Sequence, residues 1–163
     1  MFASRRQVDW LDALRAYIGL SATMHLLWEC LQLPLYTLWK DGTWHTIAFA
    51  TLHCTVGDVM IASVAMLVAL LLFGHQAWPV AHFGRVAICC AVIGLAYTVY
   101  SEWLNVVVRK SWAYSNLMPQ LPYIGTGLSP FLQWLVIPAA SLAIIACSIQ
   151  RRRETAEVLE LKR

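Results

Sequence analysis

Four long blocks of apolar residues dominate this chain and limit what it can fold into. They run from about residue 16 to 39, 46 to 73, 86 to 108 and 127 to 150. A helix that crosses the hydrocarbon of a bilayer needs about 20 mostly apolar residues, and each block is long enough. Only 13% of the 163 residues are charged, too few to cover a soluble domain of this size. The sequence therefore predicts an all-α fold: one four-helix transmembrane bundle over residues 1–150, with a charged tail at 151–163.

The distribution of Lys and Arg predicts the orientation of these helices. With the N-terminus inside the cell, nine of the twelve basic residues face the cytoplasm, and Lys40, Arg109 and Lys110 face outward. The opposite orientation would reverse that ratio and violate the positive-inside rule. We therefore expect both termini, including the tail at 151–163, on the cytoplasmic side. The compact chain has no organelle-targeting features, which favours a bacterial inner membrane. Nothing in the sequence indicates nucleic-acid binding.

Five ionisable residues lie within the predicted spans, where each costs about 2.5 kcal/mol or more and normally faces the bundle interior. At 100° per residue, Ser21, His25, Glu29, Gln32 and Tyr36 share one face of the first helix. Similar stripes occur on the second and third helices, and two polar residues lie one turn apart on the fourth. The second helix carries Thr51, Cys54, Thr55 and Asp58, and the third carries Thr98, Glu102, Asn105 and Arg109. The fourth carries Ser129 and Gln133.

The predicted depths of these stripes agree with one another. In an antiparallel hairpin that turns near Asp41, His25 is level with Asp58, and Glu29 is level with Cys54. Glu102 and Gln133 fall in the same outer half, whereas the inner half is aliphatic apart from cysteines. The sequence therefore predicts a polar cavity that is closed toward the cytoplasm and opens outward or sideways into lipid.

Such a cavity fits acid–base chemistry on an apolar substrate, namely double-bond isomerisation or cyclisation, or binding of that substrate. Buried carboxyl groups can retain a proton and act as acids, and an imidazole can relay one. The candidate catalytic residues are His25, Glu29, Glu102 and Asp58. Polar and aromatic residues, whose rings can stabilise a cation, are the candidate ligand-binding set. They are Trp28, Gln32, Tyr36, Asn105, Trp103, Gln133 and Trp134. The expected ligand is a membrane lipid of sterol or isoprenoid type, and no cofactor is predicted.

The segment HLLWE, which carries His25 and Glu29, resembles the His-x-x-x-Glu of emopamil-binding sterol isomerases. The number of helices, the cytoplasmic ends and the acid on the first helix are similar to the EXPERA family, to which the sigma-2 receptor group also belongs. The resemblance covers mainly the first helix and the architecture. It implies an isomerase or a lipid-binding protein, and only His25 and Glu29 carry over from the family.

Other functions remain open on the sequence. His25, His53, Cys30 and Cys54 lie at similar depths and form an alternative metal or haem site, because imidazole and thiolate suit copper or zinc. A proton-coupled small transporter is a second alternative. An accessory subunit of a membrane complex, or a homo-oligomer, is a third.

The segment 109–126 connects the last two predicted helices and lacks helical periodicity. It contains two prolines and three aromatic residues, Trp112, Tyr114 and Tyr123. Two interpretations are open: a lid over the bundle, or an interfacial loop with its aromatic rings at the headgroup level.

Overall fold

The structure is a computed structural model that describes residues 2–79 and 81–161, and these residues are almost entirely helical. Four long helices are joined by short turns and one long loop. In chain order the helices are α1 (Phe2–Gln32), α2 (Leu38–Asp41), α3 (Trp44–Phe73), α4 (Phe83–Glu102) and α5 (Leu128–Leu161). A short 3₁₀ turn, Leu33–Leu35, follows α1, and a π-helical segment, Trp103–Val108, follows α4.

Three helices are long and apolar enough to cross a membrane. They are Trp44–Phe73, Phe83–Val108 and Leu128–Ala156, and they correspond to the predicted spans 46–73, 86–108 and 127–150. The chain is therefore consistent with a multi-pass membrane protein. Among the described residues, α1 is less apolar than these three helices. Its first half carries several charged residues, and its second half carries His25 and Glu29.

The predicted boundaries of the first span are wrong. The α-helix begins near the N-terminus, at Phe2, and ends at Gln32. The prediction had placed the end of this span near residue 39. Pro34 explains the early end, since proline has no backbone N–H and disfavours a helical residue before it. At the other end of the chain, α5 continues to Leu161, so most of the predicted tail at 151–163 is helical.

The four long helices pack in a ring in which α1 and α4 each contact α3 and α5. Near the N-terminal end of α1, buried apolar side chains from all four helices fill the centre. We call this region the apolar end; its core includes Ala13, Tyr17, Met66, Ala69, Trp78, Val86, Cys90, Leu142, Ile145 and Ile149.

One close approach fixes the spacing of α4 and α5. A Cβ atom added at Gly94 would collide with the ring of Trp134. Trp134 is 2% exposed, and its ring lies across this glycine. The centroids of the Trp134 and His25 rings are 5.1 Å apart. The pair separates the apolar end from the polar region beyond it.

The loop 109–127 packs across the opposite end of the ring. The Thr37 N–H donates to the Ala113 carbonyl at 3.0 Å, and the Ser115 N–H donates to the Leu35 carbonyl at 2.9 Å. The Ser115 hydroxyl also donates to the Pro34 carbonyl, at 2.9 Å. The loop is therefore a cap held by backbone hydrogen bonds, as the lid interpretation predicts, and we call it the cap loop.

Candidate functional site

A cavity of about 300 Å³ lies beneath the cap loop, between α1, α3, α4 and α5. We call this half of the ring the cavity end. Each polar stripe identified in the sequence contributes to its wall, and Glu29, Asp58 and Glu102 share this space, whereas His25 lies buried behind the wall. The lining residues include Glu29, Gln32, Tyr36, Thr51, His53, Cys54, Asp58, Thr98, Glu102, Asn105, Arg109, Trp112, Gln133 and Trp134.

The carboxamide of Gln133 is the centre of a buried polar cluster. Its Nε2 lies 2.9 Å from His25 Nδ1, 3.0 Å from Asp58 Oδ2 and 3.2 Å from Glu29 Oε1. His25 Nδ1 is also 3.3 Å from Asp58 Oδ2. His25 and Asp58 are therefore adjacent, as their predicted common depth requires. We refer to these four residues as the Gln133 cluster.

The Gln133 cluster has more acceptors than donors. An amide nitrogen carries two hydrogens, but three acceptor atoms surround it. Two carboxyl groups beside one amide, in a poorly solvated interior, cannot both ionise without a large desolvation and repulsion cost. A proton shared between Glu29 and Asp58, or placed on His25 toward Asp58, relieves both problems.

A chain of hydrogen bonds orients Glu29 from the side away from Asp58. The Trp28 indole N–H donates to the Ser129 hydroxyl at 3.1 Å, and that hydroxyl donates to the Gln32 amide oxygen at 2.9 Å. The Gln32 amide nitrogen then donates to Glu29 Oε1 at 2.8 Å. Because Oε1 accepts from both Gln32 and Gln133, the other carboxyl oxygen of Glu29 is the one left for a proton.

Glu102 has a different environment on the wall formed by α4. The Tyr114 hydroxyl, from the cap loop, donates to the Glu102 carboxylate and accepts from the Gly127 N–H at 2.9 Å. Burial, followed by the neighbouring Glu102, raises the pKa of Tyr114 above its usual range, so its hydroxyl stays a donor. A charge-assisted hydrogen bond of this kind favours the ionised carboxylate.

The π-helical segment begins immediately after Glu102. Segments of this type are rare in proteins, and those that occur are often at functional sites. Within it, the Asn105 amide donates to the Ser101 carbonyl at 2.9 Å and contacts the Ser101 hydroxyl at 3.3 Å. The segment thus turns the end of α4 into the cavity wall that faces the Gln133 cluster.

The cavity meets the surface between α3 and α4. His53 of α3 and Tyr97 of α4 both line the cavity and are both exposed on the outside of the ring. Gly57, between them and the Gln133 cluster, has no atom within 4 Å of where a Cβ would be.

Two of the predicted ligand-binding residues lie elsewhere. Trp103 is 51% exposed and does not line the cavity, so the structure does not bring it together with the other candidates. It follows Glu102 directly and therefore points about 100° away, toward the outside of the ring. Trp28 does not line the cavity either, and it acts through Ser129. Among the described residues, the other five of this set line the cavity.

The alternative metal set is not brought together. Among the described residues, no group of three or more His, Cys, Asp and Glu side chains could hold a metal ion. Cys30 is exposed on the outer face of α1, and the His53 ring stacks on Phe49, with centroids 5.6 Å apart. His25, by contrast, is fully buried. The histidine pair considered for haem therefore does not face one space in the way that axial ligation requires.

Sequence reasoning missed the roles of Tyr114 and Ser129. Tyr114 was placed only in the connecting loop, and no periodicity relates a loop residue to Glu102. Ser129 was noted only as one turn from Gln133, although that spacing is the signal that both residues face α1. No family model, no curated protein and no solved structure matches this chain.

Proposed function

We propose that this chain is a four-helix membrane protein, with both termini in the cytoplasm, that binds a sterol- or isoprenoid-like lipid and moves a double bond in it by proton transfer. The observation that carries the proposal is the Gln133 cluster. It brings an imidazole and a carboxyl group of α1 and a carboxyl group of α3 into contact through one amide of α5, at the wall of a cavity. Ionisable groups at membrane depth generally mark function.

Two carboxyl groups in different environments act as the acid and the base. Glu29, oriented by Gln32 and sharing a proton with Asp58, is the acid that protonates a carbon–carbon double bond. Glu102, kept ionised by Tyr114, is the base that removes a proton from the neighbouring carbon. One proton is added and one is removed, so the double bond moves without any redox change. The Trp134 ring faces the cavity and stabilises the transient carbocation.

The size and opening of the cavity fit this type of ligand. A volume of about 300 Å³ is at the lower end of the range of small-molecule pockets, about 300–1,000 Å³. A whole sterol or a long isoprenoid exceeds that volume, so the reacting end enters and the remainder stays in lipid. The opening beside His53 and Tyr97 is on the lipid-facing side of the ring.

Two further parts of the proposal rest on the sequence. The charge distribution supports the orientation. The His25–Glu29 pair supports similarity to the EXPERA family: both residues lie on α1, and Glu29 lines the cavity. A fourth span formed by α1 is supported by its packing against α3 and α5.

The first experiment identifies the lipid that co-purifies with the protein by mass spectrometry, after extraction in native membrane discs. The lipid is then returned to the delipidated protein, and binding and double-bond position are measured. We expect Glu29→Gln and His25→Ala to abolish conversion while the protein stays folded. Glu154→Gln and His75→Ala, at exposed positions, serve as matched controls.

Other outcomes would contradict the proposal. If both site variants convert and bind the lipid as the wild type does, the acid–base roles are wrong. A stoichiometric metal or a Soret band in the purified protein would restore the metal or haem alternative. Flux in reconstituted vesicles that depends on Asp58 or Glu102 would favour a transporter.

A further inference from the structure

A line of buried polar atoms runs from the Gln133 cluster toward the apolar end. Tyr17, Ser21 and His25 are spaced four residues apart on α1, and each is at most 1% exposed. His25 Nε2 has no hydrogen-bond partner among the described residues, and the Tyr17 and Ser21 hydroxyls, which lie near each other, form no hydrogen bond of good geometry. The Trp78 indole N–H, in the same core at that end of the ring, has none either.

Ser21 differs from several other hydroxyl residues within the helices. Thr51, Thr55, Ser63 and Ser148 each donate to the carbonyl four residues earlier, at 2.7–2.9 Å. This bond is the usual way for a hydroxyl to be satisfied inside an apolar helix. Ser21 is more buried than any of these residues and does not make it, so its hydroxyl is free for another partner.

The helix itself supplies no well-formed hydrogen bond to these three buried polar groups. Buried waters characteristically satisfy polar groups that have no protein partner, whereas three such groups left dry would each carry a desolvation penalty.

We propose that Tyr17, Ser21 and His25 Nε2 bind ordered water that passes protons to the Gln133 cluster through His25. This inference rests on the proposed function, since it names the route by which the acid regains its proton. After each double-bond shift, Glu29 and Asp58 lack a proton and Glu102 has gained one. Glu102 releases its proton on the cap-loop side. The ordered water returns a proton to Asp58 through His25, with the ligand still in the cavity.

This route requires that His25 use both ring nitrogens. Nδ1 faces Asp58 and Gln133, and Nε2 faces the ordered water, so a proton accepted at Nε2 allows another to leave from Nδ1. The other titratable groups in contact are Glu29 and Asp58 beside the cluster and Cys90 beside Tyr17. Tyr17 and Ser21 are positioning residues, because neither lines the cavity.

Radiolytic labelling tests whether water is present. Hydroxyl radicals generated from bound water in place modify the side chains next to it. We expect Tyr17 to be modified despite its burial, and Met66, which is 1% exposed and intrinsically more reactive, to remain unmodified. Modification of Tyr17 should fall several-fold in Ser21→Ala. Equal protection of Tyr17 and Met66 would overturn the proposed water.

Infrared spectroscopy tests the supply of protons without any ligand. The carboxylic-acid stretch of the cluster, assigned with Glu29→Gln and Asp58→Asn, shifts when its proton exchanges for deuterium in heavy water. We expect this exchange to slow several-fold in Ser21→Ala and Tyr17→Phe. It should be unchanged in Ser63→Ala, whose hydroxyl bonds its own helix.

The possible outcomes separate the two proposals. Exchange at the wild-type rate in both Ser21→Ala and Tyr17→Phe overturns the water route and leaves the proposed function standing. If no protonated carboxyl band is present, the acid in the proposed function is wrong, and the labelling of Tyr17 alone decides whether ordered water is bound.

Discussion

The apolar end and the cavity end use the same four helices for opposite purposes. At the apolar end, Ala65, Ala69 and Leu142 are completely buried and fill the space between helices. At the cavity end, the helices instead enclose about 300 Å³ lined by Glu29, Asp58 and Glu102. Packing at one end therefore stabilises a bundle that must tolerate a polar, partly open site at the other. Substitutions at the first end should change stability, and substitutions at the second should change binding.

Leu142→Ala should have the largest effect and should act on stability alone. The side chain is completely buried on α5, and its removal leaves a void costing about 2 kcal/mol or more of unfolding free energy. Steric trapping in bilayer discs measures that free energy. Leu71→Ala, at an 86% exposed position, should change it by no more than about 0.5 kcal/mol. Loss of lipid binding by folded Leu142→Ala would erase the distinction between the two ends.

Gly94→Ala tests the boundary between the ends. The added methyl group meets the Trp134 ring, so α4 and α5 must separate, at a cost of about 1–3 kcal/mol. Because Trp134 also borders the cavity, lipid affinity should fall with stability. Gly84→Ala, on the same helix with open space around it, is the control. Equal stability of the two variants would show that the tight contact does not set the helix spacing.

Gly57→Leu should affect the cavity end alone. Its side chain projects into open space at the cavity wall, so the fold accommodates it while the lipid is excluded. We expect lipid affinity to fall about tenfold or more, equivalent to roughly 1.4 kcal/mol, with an unchanged melting temperature. Gly19→Leu, also unobstructed but outside the cavity, should bind normally. Normal binding by Gly57→Leu would move the ligand out of this cavity.

Tyr114→Phe should give the smallest effect, and one that depends on pH. Folding raises the pKa of Tyr114, so the stability it contributes is fully present below its unfolded pKa, about 10, and is lost as pH rises beyond that value. The wild-type melting temperature should therefore fall above about pH 10, and this fall should be shallower in the variant. Tyr123→Phe, at the exposed tip of the cap loop, should retain the wild-type slope. Parallel slopes in all three proteins would mean that the cap loop is not held through Tyr114.

The sequence predicted the helical elements and the convergence of the polar stripes, and it failed where local geometry departs from an ideal helix. The common depth of His25 and Asp58 followed from counting residues around one turn. The end of α1 did not, because the apolar block continues past Pro34 to residue 39. Trp103 was chosen for its aromatic ring, although its position next to Glu102 on a helix directs it outward. The catalytic and ligand-binding roles themselves remain predictions.

Composition alone determined that this chain is helical and suited to a membrane, because hydrocarbon offers backbone groups no partner other than their own helix. The spacing of charged residues also determined which face of each helix turns inward. Only the tertiary structure decided that one amide, Gln133, joins three ionisable side chains. Only that structure decided that a tyrosine from a loop reaches Glu102. Contacts of this kind depend on how separate helices are aligned and tilted, and no period within a single helix encodes that information.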